Sequence, residues 1–387
     1  MSPIAIIHTQ CGPYHLARIR ALTSAYPGNV DLIQLAAQES QRRWIVDDCS
    51  VKVTTIADGV LEAYAASDLI KGLLEHLTKT RPSILIVAGY NQPAMRAAIK
   101  WSNRNQIPVI LLSDSQYCDR PRNPVLEAIK GQWICRRCDA AFVAGASAAC
   151  YLEKLGFPKH KIWRGYDVID NHYFSKASHL VKQNKIYERE RLGLPERFFL
   201  YVGRFSQEKN LLRLLEAFGL YQNAHPSEPL TLVLVGSGDQ ELVLKDKAKR
   251  LDLKNIVWPG FKQISELPAY YGLASAFILP SISEPWGLVI NEAMACGLPI
   301  LASSQCGAIF DLVFPGINGS VFNPWESQSI NQSMTSFSHY SVSLQKDMGQ
   351  ASQRIIQDFS LESWAIALTD CIIQTSRSFK TSTNILA

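Results

Sequence analysis

Two carboxylates eight residues apart, Glu284 and Glu292, stand in the segment SISEPWGLVINEAMACGLPI, residues 281–300. Pro285 and Gly287 follow the first glutamate, so it is expected on a turn. The apolar run after them predicts a helix from about Leu288 to the stop signal Gly297-Leu298-Pro299. Glu292 then lies about one turn inside a mostly apolar helix. A carboxylate in such surroundings is costly unless it is hydrogen-bonded. Vicinal hydroxyls would satisfy it, and so would an arginine. The free N–H groups at the helix start form a site for an anion. A loop carboxylate, a helix carboxylate and an anion site between them suit a ligand with phosphates and two sugar rings.

A second group lies in YVGRFSQEKNLLRLLEAF, residues 201–218. A strand is expected to end at Val202 and Gly203, with Arg204 next and Lys209 near the start of an amphipathic helix. Cations at a helix N-terminus oppose its dipole. A bound diphosphate would account for both, the guanidinium gripping oxygens as a fork and the ammonium acting as a point charge.

These groups need a frame, and the chain supplies one. Short apolar runs alternate with helical stretches from end to end. They fall at 4–8, 30–37, 84–90, 109–115 and 140–145, then at 198–204, 230–237, 256–261, 275–281 and 299–304. The runs are continuously apolar rather than alternating, as in parallel strands covered on both faces. Strands separated by helices make βαβ units, so the expectation is α/β with two doubly wound domains. The length of 387 residues agrees with two domains. The polar stretch 169–196 is the boundary candidate. Ligands of such sheets bind beyond the carboxyl ends of the strands, which directs attention to loops 9–15, 89–93, 114–120, 203–210 and 281–288.

Composition excludes several classes. The net charge of +5 is mild and does not suggest a nucleic-acid partner. There is no run of 18 apolar residues and no secretion signal, so the expected location is the cytoplasm, with the inner face of the membrane as the other option. The nine cysteines are then expected to be free thiols. Cys135-x-x-Cys138 lacks a second pair with ligand spacing and is expected to be structural. In TQCGPYHLAR (9–18), Gly12 allows backbone to approach a ligand and Pro13 suits the first helical position. His15 in that loop is a candidate for the acceptor or the phosphates. The Gly236-containing stretch LVLVGSGDQE (232–241) is too weak to be a dinucleotide fingerprint. Arg120 and Arg122 could meet an anionic acceptor or a membrane surface, against a plain solvated face.

Segment 281–300 resembles the E-x7-E motif of retaining GT-B glycosyltransferases, close to family GT4 (glycosyl transferases group 1). Residues Gly203, Arg204 and Lys209 resemble that family's Gly-Arg and Lys motif. The resemblance implies a GT-B architecture, with two Rossmann-like domains facing a central cleft. An N-terminal acceptor-side domain would span 1–170, with a C-terminal helix at about 361–380 packing back on it, and a nucleotide-sugar domain would span 171–360. It implies transfer of a sugar, with retention, from a UDP-, GDP- or ADP-linked donor to a hydroxyl of a carbohydrate, lipid-linked or small-molecule acceptor. Glu284 would lie by the sugar and Glu292 would hold the ribose. Arg204, Lys209 and the helix start at Gly287-Leu288 would stabilise the leaving diphosphate, which is itself the base for the acceptor hydroxyl. Gly12, Gly203 and Gly236 would line the donor, and backbone at Phe261 and Lys262 would meet the base. No cofactor and no divalent metal is implied, since the nucleotide sugar is a substrate.

Two departures from the family pattern stand out. Cys306-Gly307 replaces a frequent Gly-Gly ahead of an acidic position, here Asp311. The family's N-domain histidine is replaced by the stretch SDSQYCDRPRNP, where Asp114 and Ser115 are candidates for the donor or the acceptor. The rival readings are a GT-B nucleotide-sugar epimerase, which would need no acceptor, and a non-catalytic nucleotide-sugar-binding subunit. The oligomeric state is not legible.

Overall fold

A computed structural model describes residues 3–40, 50–225 and 229–386. The chain divides into two compact units, one of Met1–Tyr117, Arg122–Ile169 and Phe359–Ala387, the other of Cys118–Pro121 and Asp170–Asp358.

The first unit holds strands β1 (Ile4–His8), β2 (Val30–Gln38), β3 (Val53–Val60), β4 (Ile84–Ala88), β5 (Val109–Ser113), β6 (Ala140–Val143) and β7 (Ile162–Arg164). They form one parallel sheet in the order β3-β2-β1-β4-β5-β6-β7. Strands β1, β5 and β6 are buried along their whole length, which is why their sequences are apolar without alternation. Helices α1 (Pro13–Ala25), α2 (Ala66–Thr80), α3 (Pro93–Arg104), α4 (Pro124–Cys135) and α5 (Ala146–Lys154) provide the crossovers. Three of them begin on proline, whose missing N–H costs nothing in the first turn.

The second unit repeats the plan with α6 (Asn171–Gln183) and α7 (Lys185–Leu192) ahead of β8 (Phe198–Val202). There follow α8 (Leu211–Ala224), β9 (Thr231–Val235), α9 (Glu241–Arg250), β10 (Ile256–Gly260), α10 (Leu267–Leu273) and β11 (Ala276–Leu279). Then come α11 (Leu288–Ala295), β12 (Ile300–Ser303), α12 (Ile309–Leu312), β13 (Gly319–Phe322), α13 (Ser327–Ser338) and α14 (Val342–Ile356). The parallel sheet runs β10-β9-β8-β11-β12-β13. In both sheets the order reverses beside the first strand, which opens a crevice at the strand ends.

A last helix, α15 (Leu361–Leu386), packs against α1 in the first unit. Trp364, Leu368, Cys371 and Ile372 enter a core with Leu16, Ile19, Phe142 and Val168. Trp163 donates from its indole N–H to Asp370 at 2.8 Å.

Among the described residues, three strands are not among the apolar runs. The β3 sequence VTTIADGV lies at a sheet edge and is mostly half-buried, so water takes one face and the continuous apolar signal disappears. The others, β7 and β13, are edge strands of three and four residues. The polar boundary stretch 169–196 is largely helical. Asp170 caps α6 by accepting from the Tyr173 N–H at 2.8 Å, and Gly193, at φ +62°, ends α7. These helices are charged because much of their surface faces water.

Arg122 differs from its expected place on an open basic surface. Its side chain is buried, bonded to the Gln116 carbonyl and, at 3.3 Å, to that of Tyr117, with its guanidinium 4.4 Å from the Tyr151 ring. Cys135 and Cys138 are free, and burial raises the pKa of both thiols.

One buried charge pair ties α1 to the segment after β7. Arg18 donates to the Val168 carbonyl at 3.0 Å and to Asp167 at 3.2 Å. Burial pushes the Asp167 carboxyl up to about 7, Arg18 opposes the shift, and the like charge of Asp114 adds to it. Asp167 therefore binds a proton more readily folded than unfolded. Its contribution to stability is complete below the ordinary value of 3.8 and is lost as pH rises through about 7. Melting temperatures measured from pH 4 to 8 should fall more steeply for the parent than for Asp167→Asn. Parallel curves would refute this account.

Candidate functional site

The strand ends of the second unit bring most of the expected residues together. Gly203 follows β8, and its N–H bonds the Val235 carbonyl at 3.0 Å. Gly236, after β9, has φ +147° and sits so close to Gly203 that a Cβ would lie 1.9 Å from the Gly203 carbonyl oxygen. The Phe205 N–H donates to the Ser237 carbonyl at 2.9 Å, and the Gln240 N–H to that of Phe205 at 3.0 Å. The loops after β8 and β9 are thus joined backbone to backbone, which only glycine at 236 permits.

Arg204 is exposed and pairs with Glu208 at 3.3 Å. Burial works against ionisation of Glu208, but the Ser206 hydroxyl at 2.6 Å and the Arg204 and Lys209 charges outweigh it and hold the carboxyl below its usual range. Lys209 ends a short 3-10 turn, and Asn210 follows in the left-handed region at φ +58°. The Asn210 amide donates to the carbonyls of Pro280 at 3.0 Å and Pro324 at 2.8 Å, which fixes the start of α8 to the end of β11.

Glu284 is only 8% exposed. The Lys209 ammonium donates to it, and so does the Ser281 hydroxyl at 3.2 Å. The Glu284 loop is held from two sides. Ile282 N–H bonds the Glu208 carbonyl at 2.9 Å, and Gly307 N–H bonds the Glu284 carbonyl at 3.0 Å. Gly307 rests on this loop so closely that a Cβ would lie 1.9 Å from the Pro285 carbonyl oxygen. The neighbouring Cys306 thiol is buried and donates to the Trp286 carbonyl at 2.7 Å, so the departure from Gly-Gly adds an anchor while the glycine in contact is kept.

Gly287, at φ +104°, caps α11, which begins at Leu288 as the spacing predicts. Glu292 lies in the helix and is 2% exposed. The Tyr271 hydroxyl donates to it at 2.8 Å, a partner that is neither of the two expected. Tyr271 is itself fixed by the rings of Phe174 and Phe277, 6.2 and 5.9 Å away. Phe261 is exposed after Gly260, and Lys262 reaches Glu266 at 3.6 Å. Asp311 lies in α12.

Four expected residues belong to the first unit. Gly12 caps α1 at φ −99°, an ordinary value for any residue, and its N–H donates to His15 Nδ1 at 2.9 Å. That bond makes Nδ1 an acceptor, so the ring proton of neutral His15 is on Nε2. The His15 ring stands 4.4 Å from that of His8. Asp114 is exposed just beyond β5, and the Ser115 N–H donates to the Ser113 hydroxyl at 3.3 Å.

Sequence reasoning missed Tyr201. It lies inside β8, and its hydroxyl donates to the Arg204 carbonyl at 2.8 Å. Burial, then the nearby charges of Glu284 and Glu208, raise its pKa and keep it protonated. A tyrosine at the polar end of an apolar strand was the available signal, since a buried hydroxyl requires a partner. Tyr271 gave the same signal in α10.

Residues 182–355 match the family model for glycosyl transferases group 1. Glycogen synthase from Mycobacterium tuberculosis is 32% identical over 49% of this chain and 45% of that protein. The chain spans less than half the length of the curated relatives it first matches. The structure of Anabaena HepE in complex with UDP and glucose aligns with a TM-score of 0.75 at 18% identity, covering 97% of this chain and 100% of that one. Sucrose-phosphate synthase from Thermosynechococcus elongatus aligns with a TM-score of 0.76, also at 18% identity, covering 98% and 100%. The likeness to these structures is one of fold, two parallel-sheet α/β units of GT-B type. Over residues 182–355, then, the chain is similar to the glycosyl transferases group 1 family.

Proposed function

We propose that this protein transfers a sugar, with retention of anomeric configuration, from a nucleoside-diphosphate sugar to an acceptor hydroxyl. The observation that carries the reading is the Lys209–Glu284 pair, held by two strand-end loops beside the start of α11. A cation, a carboxylate and free helix N–H groups at one crevice match a donor made of diphosphate and sugar.

The second unit takes the donor. Arg204 and Lys209 grip the diphosphate with the N–H groups at Gly287 and Leu288, and these donors are fixed before charge develops on the leaving group. Glu284 binds the sugar, with Ser281 and Lys209 keeping its carboxylate oriented. Glu292, held on one side by Tyr271, takes the ribose hydroxyls. Backbone at Phe261 and Lys262 meets the base, and the glycines at 203 and 236 let the chain approach the phosphates. The first unit takes the acceptor, with Gly12, His15, Asp114 and Ser115 on its side. The acceptor hydroxyl loses its proton to the departing diphosphate on the face that diphosphate leaves, so configuration is retained without a protein nucleophile. No cofactor or divalent metal is required. Because Anabaena HepE is described with UDP and with UDP-glucose, uridine donors are the first to test.

Saturating donor should raise the melting temperature, since a ligand at a hundred times its Kd adds about 2.7 kcal/mol to the native state. UDP-, GDP- and ADP-sugars are tried in parallel. No shift with any of them would sink the donor assignment, and a product of inverted configuration would sink retention.

Lys209→Met keeps the apolar stem and removes the charge. It should lower kcat/KM about a hundred- to thousandfold. It should also cost about 1.5–3 kcal/mol of stability, because Glu284 loses a charged partner, and Glu284→Gln in the same chain should restore part of that loss. Stability recovered with activity still absent is the expected pattern. Parent-like turnover in Lys209→Met would refute the role.

A further inference from the structure

Helices α8 and α13 pack together in the second unit and are joined at both ends. Near their starts the Ser327 hydroxyl donates to Glu216 at 3.0 Å, and Arg213 donates to the Pro324 carbonyl at 3.2 Å. At their far ends the residues that close the two helices are His225 and His339, and their Nε2 atoms lie 3.2 Å apart.

The tautomer of His225 follows from its other nitrogen. Nδ1 lies 2.9 Å from the Tyr221 carbonyl, which can only accept, so Nδ1 carries the proton and Nε2 of the neutral ring presents a lone pair. The ring also rests against that of buried Tyr221, 4.5 Å between centroids, and the Tyr221 hydroxyl accepts from the Leu230 N–H at 3.1 Å. An imidazole fixed through one nitrogen by a backbone carbonyl, with the other nitrogen facing outward, is the arrangement that metal-bound histidines share. His339 is exposed, so its ring is free to turn its Nε2 to the same point. The Ser338 hydroxyl gives its proton to the Thr335 carbonyl at 2.8 Å and stands 3.5 Å from His225 Nε2.

The spacing points to a metal. Tetrahedral ligation at about 2.0–2.1 Å places two imidazole nitrogens about 3.3 Å apart. The observed 3.2 Å is close to that bite. Without a metal the same spacing serves an N–H···N bond from His339 to His225, so the pair is gathered beforehand. Both residues also sit where helix carbonyls concentrate negative charge, which favours a cation. Among the described residues no group of three or more His, Cys, Asp or Glu is gathered to hold a metal, so water would complete the shell here. Two protein ligands make a site that fills and empties with metal concentration. Imidazole selects zinc, copper or nickel over magnesium and calcium.

We propose that His225 and His339 bind a divalent transition metal of the zinc type, which clips the end of α8 to the end of α13. Helix α8 has 14 residues, about 21 Å, so the metal lies a full helix away from Lys209 and has a structural role. It steadies the helix that starts at the Asn210 anchor. Binding needs neither donor nor acceptor, so this proposal stands or falls apart from the proposed transfer.

The test is calorimetric titration of the full chain, stripped with EDTA and dialysed, with ZnCl2. One zinc should bind per chain and raise the melting temperature, because a metal held only by the native state stabilises it. With one equivalent of CuSO4 instead, the electron paramagnetic resonance spectrum should show two coordinated imidazole nitrogens. His225→Gln and His339→Gln should each weaken zinc binding about tenfold or more. His339→Gln, at an exposed position, should melt with the parent in EDTA, which separates lost ligation from lost folding. MgCl2 should leave the melting temperature unchanged. No zinc binding by the parent, parent-like affinity in either variant, or an equal response to MgCl2 would overturn the proposal.

Discussion

A carboxylate almost closed off from water has to find a cation or several donors, and the second unit is arranged around that demand at Glu284. Its partner Lys209 lies in a different loop, 75 residues earlier in the chain. For the two to meet, the loops after β8 and β11 must run side by side, which the Ile282–Glu208 backbone bond and the Asn210 amide ensure. Each loop is in turn pressed by a neighbour at distances only glycine allows, Gly236 on the Gly203 carbonyl and Gly307 on the Pro285 carbonyl. A Cβ at either position would move a loop by more than the width of a hydrogen bond's tolerance, and the charge pair would open.

The parallel α/β plan was legible because buried strands leave continuous apolar runs, and the central strands of both sheets follow that rule. Edge strands β3, β7 and β13 escape it because half of their surface is wet or their length is too short to register. The helices at 171–192 read as a linker because charge was given more weight than the Asp170 cap and the Gly193 stop that bracket them. At the candidate site, local features could be read: the turn at Pro285, the helix start at Leu288, and the cations after β8. Pairings across long stretches of chain could not. That Tyr271 would be the partner of Glu292, or that Glu208 would sit between Arg204 and Ser206, depends on how separate loops are laid against each other. His15 shows the same limit on a small scale, since its spacing from Gly12 allows a capping contact that residue type alone does not announce.

Of the two departures from the family pattern, Cys306-Gly307 lies in the second unit and Asp114 with Ser115 in the first. Residues 182–355 lie in the second unit, where the glycines and charged groups cluster. The first unit carries the unusual stretch at Asp114 and Ser115 and the buried Arg18–Asp167 pair.

The return of α15 to the first unit has a consequence for how the protein is made. The chain leaves the first unit at Ile169 and comes back only at Phe359, so Trp364, Leu368, Cys371 and Ile372 are made after the second unit. Until then α1 and the face of β6 that carries Phe142 lack their cover. The second unit, contiguous from Asp170 to Asp358 apart from four residues, can close while synthesis continues. The domain begun first is thereby completed after the one begun second.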